Sequence, residues 1–224
     1  PSVINKFVRG MRWVTQYCPK VRNIVKIDHD VGVQPLKLRQ YLDKSLPLHK
    51  RSISCLVWMY ARVSRNVSDK HCIPEDDLPM DFYPHYCSGR AMIMTTDTME
   101  KLYRASKIVR GYQIDDTYVS GHVAMLANVG HVDIGSQVSF NAWDKSTQLM
   151  LQPKAIFTHD HSTYGNSIGR RAQWGMSIWT QMMEAPGRHV FNLSYRFVDQ
   201  MYRRVFHETR RALGRRLPLP SRNW

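Results

Sequence analysis

Carboxylates and imidazoles gather at three places in this 224-residue chain. The first is Asp28-His29-Asp30, at the tip of the apolar run in "NIVKIDHDVGV". A buried strand has no use for two carboxylates at its end. Carboxylates at i and i+2 on a turning backbone can instead converge on one hard divalent cation. The second is the adjacent pair Asp115 and Asp116 in "YQIDDTYVSG", where a helical pattern begins. Acids there complement the helix dipole, or one of them serves as a general base. The third is His159 and His161 in "THDHSTYG", just after an apolar run. Imidazole is a common companion of carboxylates around a metal. Each group has a plainer counterpart: a solvated turn, a pair of acids at a helix start, and two exposed loop histidines.

The elements that would position these groups follow from periodicity. Val3, Ile4, Phe7, Val8, Met11 and Val14 recur at helical spacing, and the helix they predict must end at Cys18-Pro19, since proline cannot continue it. "NIVKID" reads as a short strand, and Pro35 to Leu46 as a helix with proline in its first turn. "SISCLVWMYARV" reads as a β-rich run opening a hairpin, "PEDDLPMDFYPHYCSG" as loop, and "RAMIMTT" as strand. Asp97 is placed to cap a helix over Met99 to Ile108. "DDTYVSGHVAMLANVG" reads as a helix closed by Gly130. "HVDIG" and "LMLQPKAIF" are later strands, and "RRAQWGMSIWTQMM" and "YRFVDQMYRRVFHETRRAL" are helical. Strands alternating with helices predict an α/β architecture. It places the acidic tip of "NIVKID" at the carboxyl end of a strand, where such sheets gather ligands.

Lys plus Arg number 32 against 18 acids, a formal charge of +14. From Arg188 onward there are nine arginines, no lysine and two acids, so half of that excess sits in one tail. The remainder is only mildly basic, which weakens a nucleic-acid-binding reading of the whole chain and sets 186–224, an arginine-rich helical tail, apart from 1–185. The four cysteines form no C-x-x-C pair, which argues against a zinc ribbon. The sequons at Asn66 and Asn192 lean towards the secretory pathway. No stretch reaches the ~18 apolar residues of a membrane span.

Taken together and in order, these motifs resemble the β1,3-glycosyltransferase family, the galactosyltransferase and fringe group with a GT-A-type fold. "MRWVTQYCP" is similar to the family's tryptophan-bearing helix with its Cys-Pro end. "VKIDHDVGV" is similar to its lysine-bearing strand and Asp-x-Asp-Val element. "FYPHYCSGRAMIMTTD" is similar to its Tyr-Pro-x-Tyr-x-Ser-Gly loop and strand, and "IDDTYVSGHVAMLANVG" to its Glu-Asp-Val-Tyr-x-Gly helix.

The resemblance implies a metal-dependent inverting hexosyltransferase. It would move galactose or an N-acetylhexosamine from a UDP-sugar to a glycan hydroxyl, in a β1,3 linkage. Asp30 then matches the direct Mn2+ ligand and Asp28 the acid facing the ribose and the metal's water shell. His159 is the better match for the late metal-binding histidine, with His161 its competitor. Asp116 matches the catalytic base, and Asp115 stands where the family has glutamate. Lys26, Tyr86, Ser88 and Gly89 border the donor and acceptor. The family's compartment is the Golgi lumen, behind a single-pass membrane anchor. Members carry that anchor, a stem and the first strands of the nucleotide-binding half upstream of the point where this sequence opens, so the expected fold is GT-A-like but incomplete at its N-terminus. A glycan-binding or chaperone-like relative without catalysis is the alternative, and a basic nucleic-acid-binding protein, suggested by the arginine-rich tail, is a further one. The family's cysteine after the Asp-Asp-Thr-Tyr motif is replaced by Val123. Cys87 therefore needs another partner, and Cys72 is a candidate among the three pairings that four cysteines allow.

Overall fold

A computed structural model describes residues 3–139 and 155–159 of the chain. The helices expected beyond them, the arginine-rich tail and His161 lie outside the described residues.

The first helix, α1 (Val3–Tyr17), ends one residue before Cys18-Pro19, where the Cys18 N–H closes the last turn on the Val14 carbonyl at 2.9 Å. It buries Ile4 and Met11, with Phe7, Val8 and Val14 partly covered. Strand β1 (Asn23–Ile27) follows, then β2 (Val31–Val33) and α2 (Pro35–Lys44). Gln34 opens α2: its side-chain oxygen accepts the Lys37 N–H at 2.9 Å, satisfying one of the donors a helix start leaves over. The helix stops at Lys44, short of the expected Leu46, because Leu46–Leu48 tighten into a 3-10 turn.

Strands β3 (Ser52–Trp58) and β4 (Tyr86–Thr95) are antiparallel neighbours, so the expected hairpin is real but its connection is long. The segment 59–85 is held chiefly by Arg65. Its guanidinium donates to the carbonyls of Ile73 at 2.7 Å, Leu78 at 2.7 Å and Met80 at 2.8 Å. Val63, Ile73, Leu78 and Tyr83 are buried, so the loop is anchored by four apolar side chains and one cation. The strand begins at Tyr86, four residues earlier than read from the sequence, because Tyr86 and Cys87 pair with Trp58 and Val57.

Helix α3 (Thr96–Ser106) starts ahead of the expected cap. Thr95 holds the capping position and Asp97 lies inside the first turn, where its charge favours the helix end. Thr117–Val123 form a π-helical stretch, continued by α4 (Ala124–Leu126). The chain reverses at Asn128, with φ +52°, and not at Gly130. Asparagine tolerates that left-handed conformation, while Gly130 opens β5 (Gly130–Asp133). The short strands β6 (Val138–Ser139) and β7 (Phe157–His159) complete the set.

The described strands form two mixed sheets, β1-β4-β3-β5 and β2-β7-β6. Alternate residues of β4 serve different cores. Met92 and Met94 pack with α1, α3 and the π-helical stretch, while Ala91 and Ile93 pack with α2, Ile134 and Phe157. The first sheet is thus covered on both faces. That explains why "AMIM" is apolar throughout rather than alternating with polar residues. The α/β class and the mixed sheet flanked by helices stand as the sequence predicts.

Candidate active site

Strand β1 leaves the first sheet at Ile27, and β2 enters the second at Val31. Asp28, His29 and Asp30 are the crossover between them. The Asp28 N–H donates to the Arg90 carbonyl at 2.9 Å, and the Val31 N–H to the Asp28 carbonyl at 3.2 Å, which folds the crossover into a tight turn. Val31 lies opposite His159 in the β2–β7 ladder. That register brings Asp30, one residue earlier, to the histidine: Asp30 Oδ2 is 3.1 Å from His159 Nε2. Burial works to raise the Asp30 carboxyl, but the hydrogen bond and charge of His159 outweigh it and hold the group below the usual carboxylate range. His29 points its exposed ring to solvent.

Asp28 turns to a different partner. Lys26 Nζ lies 2.7 Å from Asp28 Oδ1 and also donates to the Gly89 carbonyl. The ammonium of this lysine also lies over the Phe7 ring, 5.8 Å from its centroid. Gly89 sits in an irregular part of β4. Cys55 lies opposite Met92 but Val57 lies opposite Cys87, so residues 88–91 stand against Leu56 alone. Such bulges redirect strands beside functional sites. Here the bulge turns the Gly89 and Arg90 carbonyls towards Lys26 and Asp28.

Asp116 approaches Gly89 from the helical side. A β-carbon on Gly89 would lie 3.3 Å from both Cβ and Oδ2 of Asp116. The Gly89 main chain in turn lowers the Asp116 carboxyl. Glycine is required here for close approach rather than for an unusual backbone angle. Asp116 Oδ1 caps the π-helical stretch by accepting the Thr117 N–H at 2.8 Å. Burial is the main influence on its carboxyl and raises it; Thr117 lowers it, Asp115 raises it, and Gly89 and Lys26 lower it, with a net rise. A half-buried carboxylate held above its usual range suits proton abstraction.

The π-helical stretch is fastened to β4 through Ser120, which the sequence reading passed over. Ser120 Oγ donates to the Asp116 carbonyl at 2.6 Å and accepts the Cys87 N–H at 2.9 Å. His131 Nε2–H donates to the Ser120 carbonyl at 2.6 Å. Gly121 lets this stretch sit on Tyr86, since a β-carbon there would lie 3.3 Å from Tyr86 Cβ. Tyr86 also meets Tyr83 edge to face at 5.7 Å, and burial, then the Asp116 charge, raises its hydroxyl. A serine and a glycine in succession at a helix–strand contact were the available signal.

Cys87 is joined to Cys55, with a Cα–Cα separation of 5.5 Å. This corrects the suggested pairing with Cys72, which stays a free thiol in the 59–85 segment, as Cys18 does near the end of α1. Sequence proximity misled: adjacent antiparallel strands bring residues far apart in sequence within disulfide reach, and Cys72 is tied into its own turn by a 2.9 Å bond to the Asp69 carbonyl.

The structure therefore brings Asp30 to His159, and Lys26, Asp28, Gly89 and Asp116 to one another. Ser88 is buried within β4, and Asp115 is half-buried beside Asp116. Among the described residues no three His, Cys, Asp or Glu side chains cluster as a metal cage. The donor set at Asp30 and His159 is one carboxylate oxygen and one imidazole nitrogen. That fits a hard divalent ion whose other positions go to phosphate oxygens and water, rather than an all-protein cage.

This disulfide-stapled α/β core, with an acidic sheet crossover facing a half-buried carboxylate, matches a galactosyltransferase family model over residues 2–135. The chain belongs to the galactosyltransferase family. Beta-1,3-galactosyltransferase 2 of Homo sapiens is 31% identical over 160 residues, covering 69% of this chain and 36% of the relative. Its Mus musculus counterpart is 33% identical over 156 residues, again covering 69% and 36%. Beta-1,3-galactosyltransferase 1 of Mus musculus is 29% identical over 157 residues, covering 70% of this chain and 47% of the relative. The chain thus spans less than half the length of these curated relatives.

Proposed function

We propose that the chain carries the catalytic face of a transferase that moves galactose from UDP-galactose to a glycan hydroxyl, inverting the anomeric centre and forming a β1,3 linkage. The observation that carries this reading is the shared strut at Gly89. Its carbonyl takes Lys26, and its missing side chain lets Asp116 approach the turn that holds Asp28. The names of the relatives supply the sugar and the linkage.

Asp116 accepts the proton of the attacking hydroxyl. Its raised carboxyl keeps it basic, and Thr117 fixes one of its oxygens. Lys26 anchors Asp28 and places positive charge beside the departing diphosphate. Tyr86 walls the acceptor side. Asp30 and His159 are the residues that would hold Mn2+, which when bound supplies Lewis-acid neutralisation of the leaving diphosphate. A single in-line displacement needs one protein base and inverts the sugar. A Golgi-lumenal, membrane-anchored setting accords with the Cys55–Cys87 disulfide, since disulfides persist in oxidising compartments. Among the described residues no helix is long and apolar enough to cross a membrane.

The test is release of UDP from UDP-galactose with Mn2+ and a panel of β-linked oligosaccharide acceptors. Asp116→Asn should lower transfer by ~10²–10⁴-fold, the usual contribution of a general base, and leave UDP affinity unchanged. Near-parent transfer by that variant would remove Asp116 from the base role. A parent that binds UDP and acceptor without transfer would favour a glycan-binding relative.

A further inference from the structure

Beyond the acidic turn, the rim around Tyr86 exposes aromatic surface that the reaction as described does not use. Trp58 is 50% exposed, Met59 56%, Tyr60 79% and Phe82 46%. Trp58 is the direct cross-strand partner of Tyr86, so their side chains leave the sheet on the same face. That face is the one Gly121 and Asp116 occupy, because Tyr86 Cβ abuts Gly121 and its hydroxyl feels the Asp116 charge. The Tyr60 and His85 rings meet edge to face at 5.7 Å. Arg62 covers the Phe82 ring at 5.5 Å, and the Arg62–Phe82 bridge closes the outer end.

Tyr60 also adopts φ +58°. A bulky residue in that left-handed region is strained, and strain of this kind collects at functional positions. Its effect here is to hold an aromatic ring outward, where the fold gains no burial from it. Exposed rings on and beside the face that carries Tyr86, with hydroxyl, indole and imidazole edges around them, match a pyranose. One face of a β-linked galactose or N-acetylhexosamine is a patch of C–H bonds, slightly positive, which lies on the negative face of an aromatic ring. Its hydroxyls remain at the ring's edge for polar partners.

We infer that Trp58 and Tyr60 form a stacking platform for the second sugar of an oligosaccharide acceptor, one step out from the sugar whose hydroxyl faces Asp116. This rests on the transferase reading and narrows it: the preferred acceptor is a disaccharide or longer, neutral and β-linked. Specificity for chain length then resides in side chains that never touch the reacting atoms.

The experiment compares the methyl β-glycosides of galactose and N-acetylglucosamine with β-linked disaccharides ending in each, using the full chain. Saturation-transfer NMR and titration supply dissociation constants, and UDP with Mn2+ is titrated in parallel. The parent should bind at least one disaccharide several-fold more tightly than its monosaccharide, up to about tenfold for a stacked ring. Trp58→Ala and Tyr60→Ala should each shrink that ratio towards one, and Trp58→Phe should restore part of it. UDP binding should stay at parent values, and so should the unfolding midpoint of Tyr60→Ala, whose side chain is 79% exposed. A parent without chain-length preference overturns the platform, as does a ratio that survives both alanine variants. Trp58-dependent disaccharide binding without UDP binding keeps the platform and removes the donor reading. Failure to bind either class removes both.

Discussion

Gly89→Ala separates the positioning of Asp116 from the stability of the fold. The new methyl would stand 3.3 Å from Asp116 Cβ and Oδ2 and 3.6 Å from Cγ. Carbon contacts are most favourable near 3.5–4.0 Å, so Asp116 must retreat by roughly 0.4 Å. Moving a catalytic group by about 1 Å costs about 10²-fold; scaled to this displacement, transfer should fall roughly fivefold. Mild overpacking at its lower limit costs about 1 kcal/mol. Gly89 has no left-handed φ, so alanine also narrows the unfolded ensemble and returns ~0.4–1 kcal/mol. The two nearly cancel, and the unfolding midpoint in urea should hardly move. Transfer at saturating donor and acceptor, measured beside urea denaturation, tests both halves. Gly10→Ala, in α1 with nothing within 4 Å of the new methyl, serves as control and should stabilise by ~0.5–1 kcal/mol. Unchanged transfer in Gly89→Ala would refute the view that this contact sets the position of Asp116. A large stability loss would refute the estimate of its tightness.

Asp116→Asn should be more stable than the parent at neutral pH. Burial raises the folded carboxyl, so the stability linked to its protonation is complete below the unfolded value of about 3.9 and is lost as pH rises through the folded value. Urea denaturation at pH 7 and pH 4 should show the variant's advantage shrinking as the solution is acidified, and a parent with flat pH dependence between them would contradict the burial argument. UDP with Mn2+ should raise the thermal midpoint of the parent, by an amount equivalent to about 2.7 kcal/mol at 100 times the dissociation constant, and Asp30→Ala should abolish the manganese-dependent part. Cys55→Ser opens a link across 32 residues and should cost ~2–4 kcal/mol, read by chemical denaturation with and without reductant. Asn66 lies in an exposed Asn-Val-Ser turn; expressed through a secretory pathway, the chain should lose an endoglycosidase-sensitive mobility shift on Asn66→Gln.

What the sequence revealed of this fold was what depends on local order. The periodicity of α1, the proline at the start of α2 and the apolar run of β4 each specify an element from neighbouring residues, and the structure has all three. The two acidic motifs were legible because their residue types are chemically odd for their places. What stayed hidden depends on pairing register. Nothing local tells that residues 88–91 bulge opposite Leu56, or that Cys55 thereby reaches Cys87 ahead of Cys72. Nothing in the sequence after Asp116 marks a π-helical stretch, which packs on β4 through Ser120 and Gly121. The ion pair between Lys26 and Asp28 was equally hidden, since it depends on where the strand ends and the turn begins.

The grip of Arg65 on the long β3–β4 connection has a consequence for how this region can change. The guanidinium takes hold of three main-chain oxygens, those of Ile73, Leu78 and Met80. Every residue type offers the same carbonyl, so the clasp is blind to the side chains it encloses. Within residues 70–80, Ile73 and Leu78 are the buried side chains. The positions between and before them, Lys70, Glu75 and Asp76 among them, can exchange freely without altering the path of the backbone. A lineage could rewrite the surface of this segment, its charge and its recognition properties, while inheriting its shape unchanged. The single mutation that would forbid such drift is at the arginine itself, since lysine carries one nitrogen where three carbonyls wait.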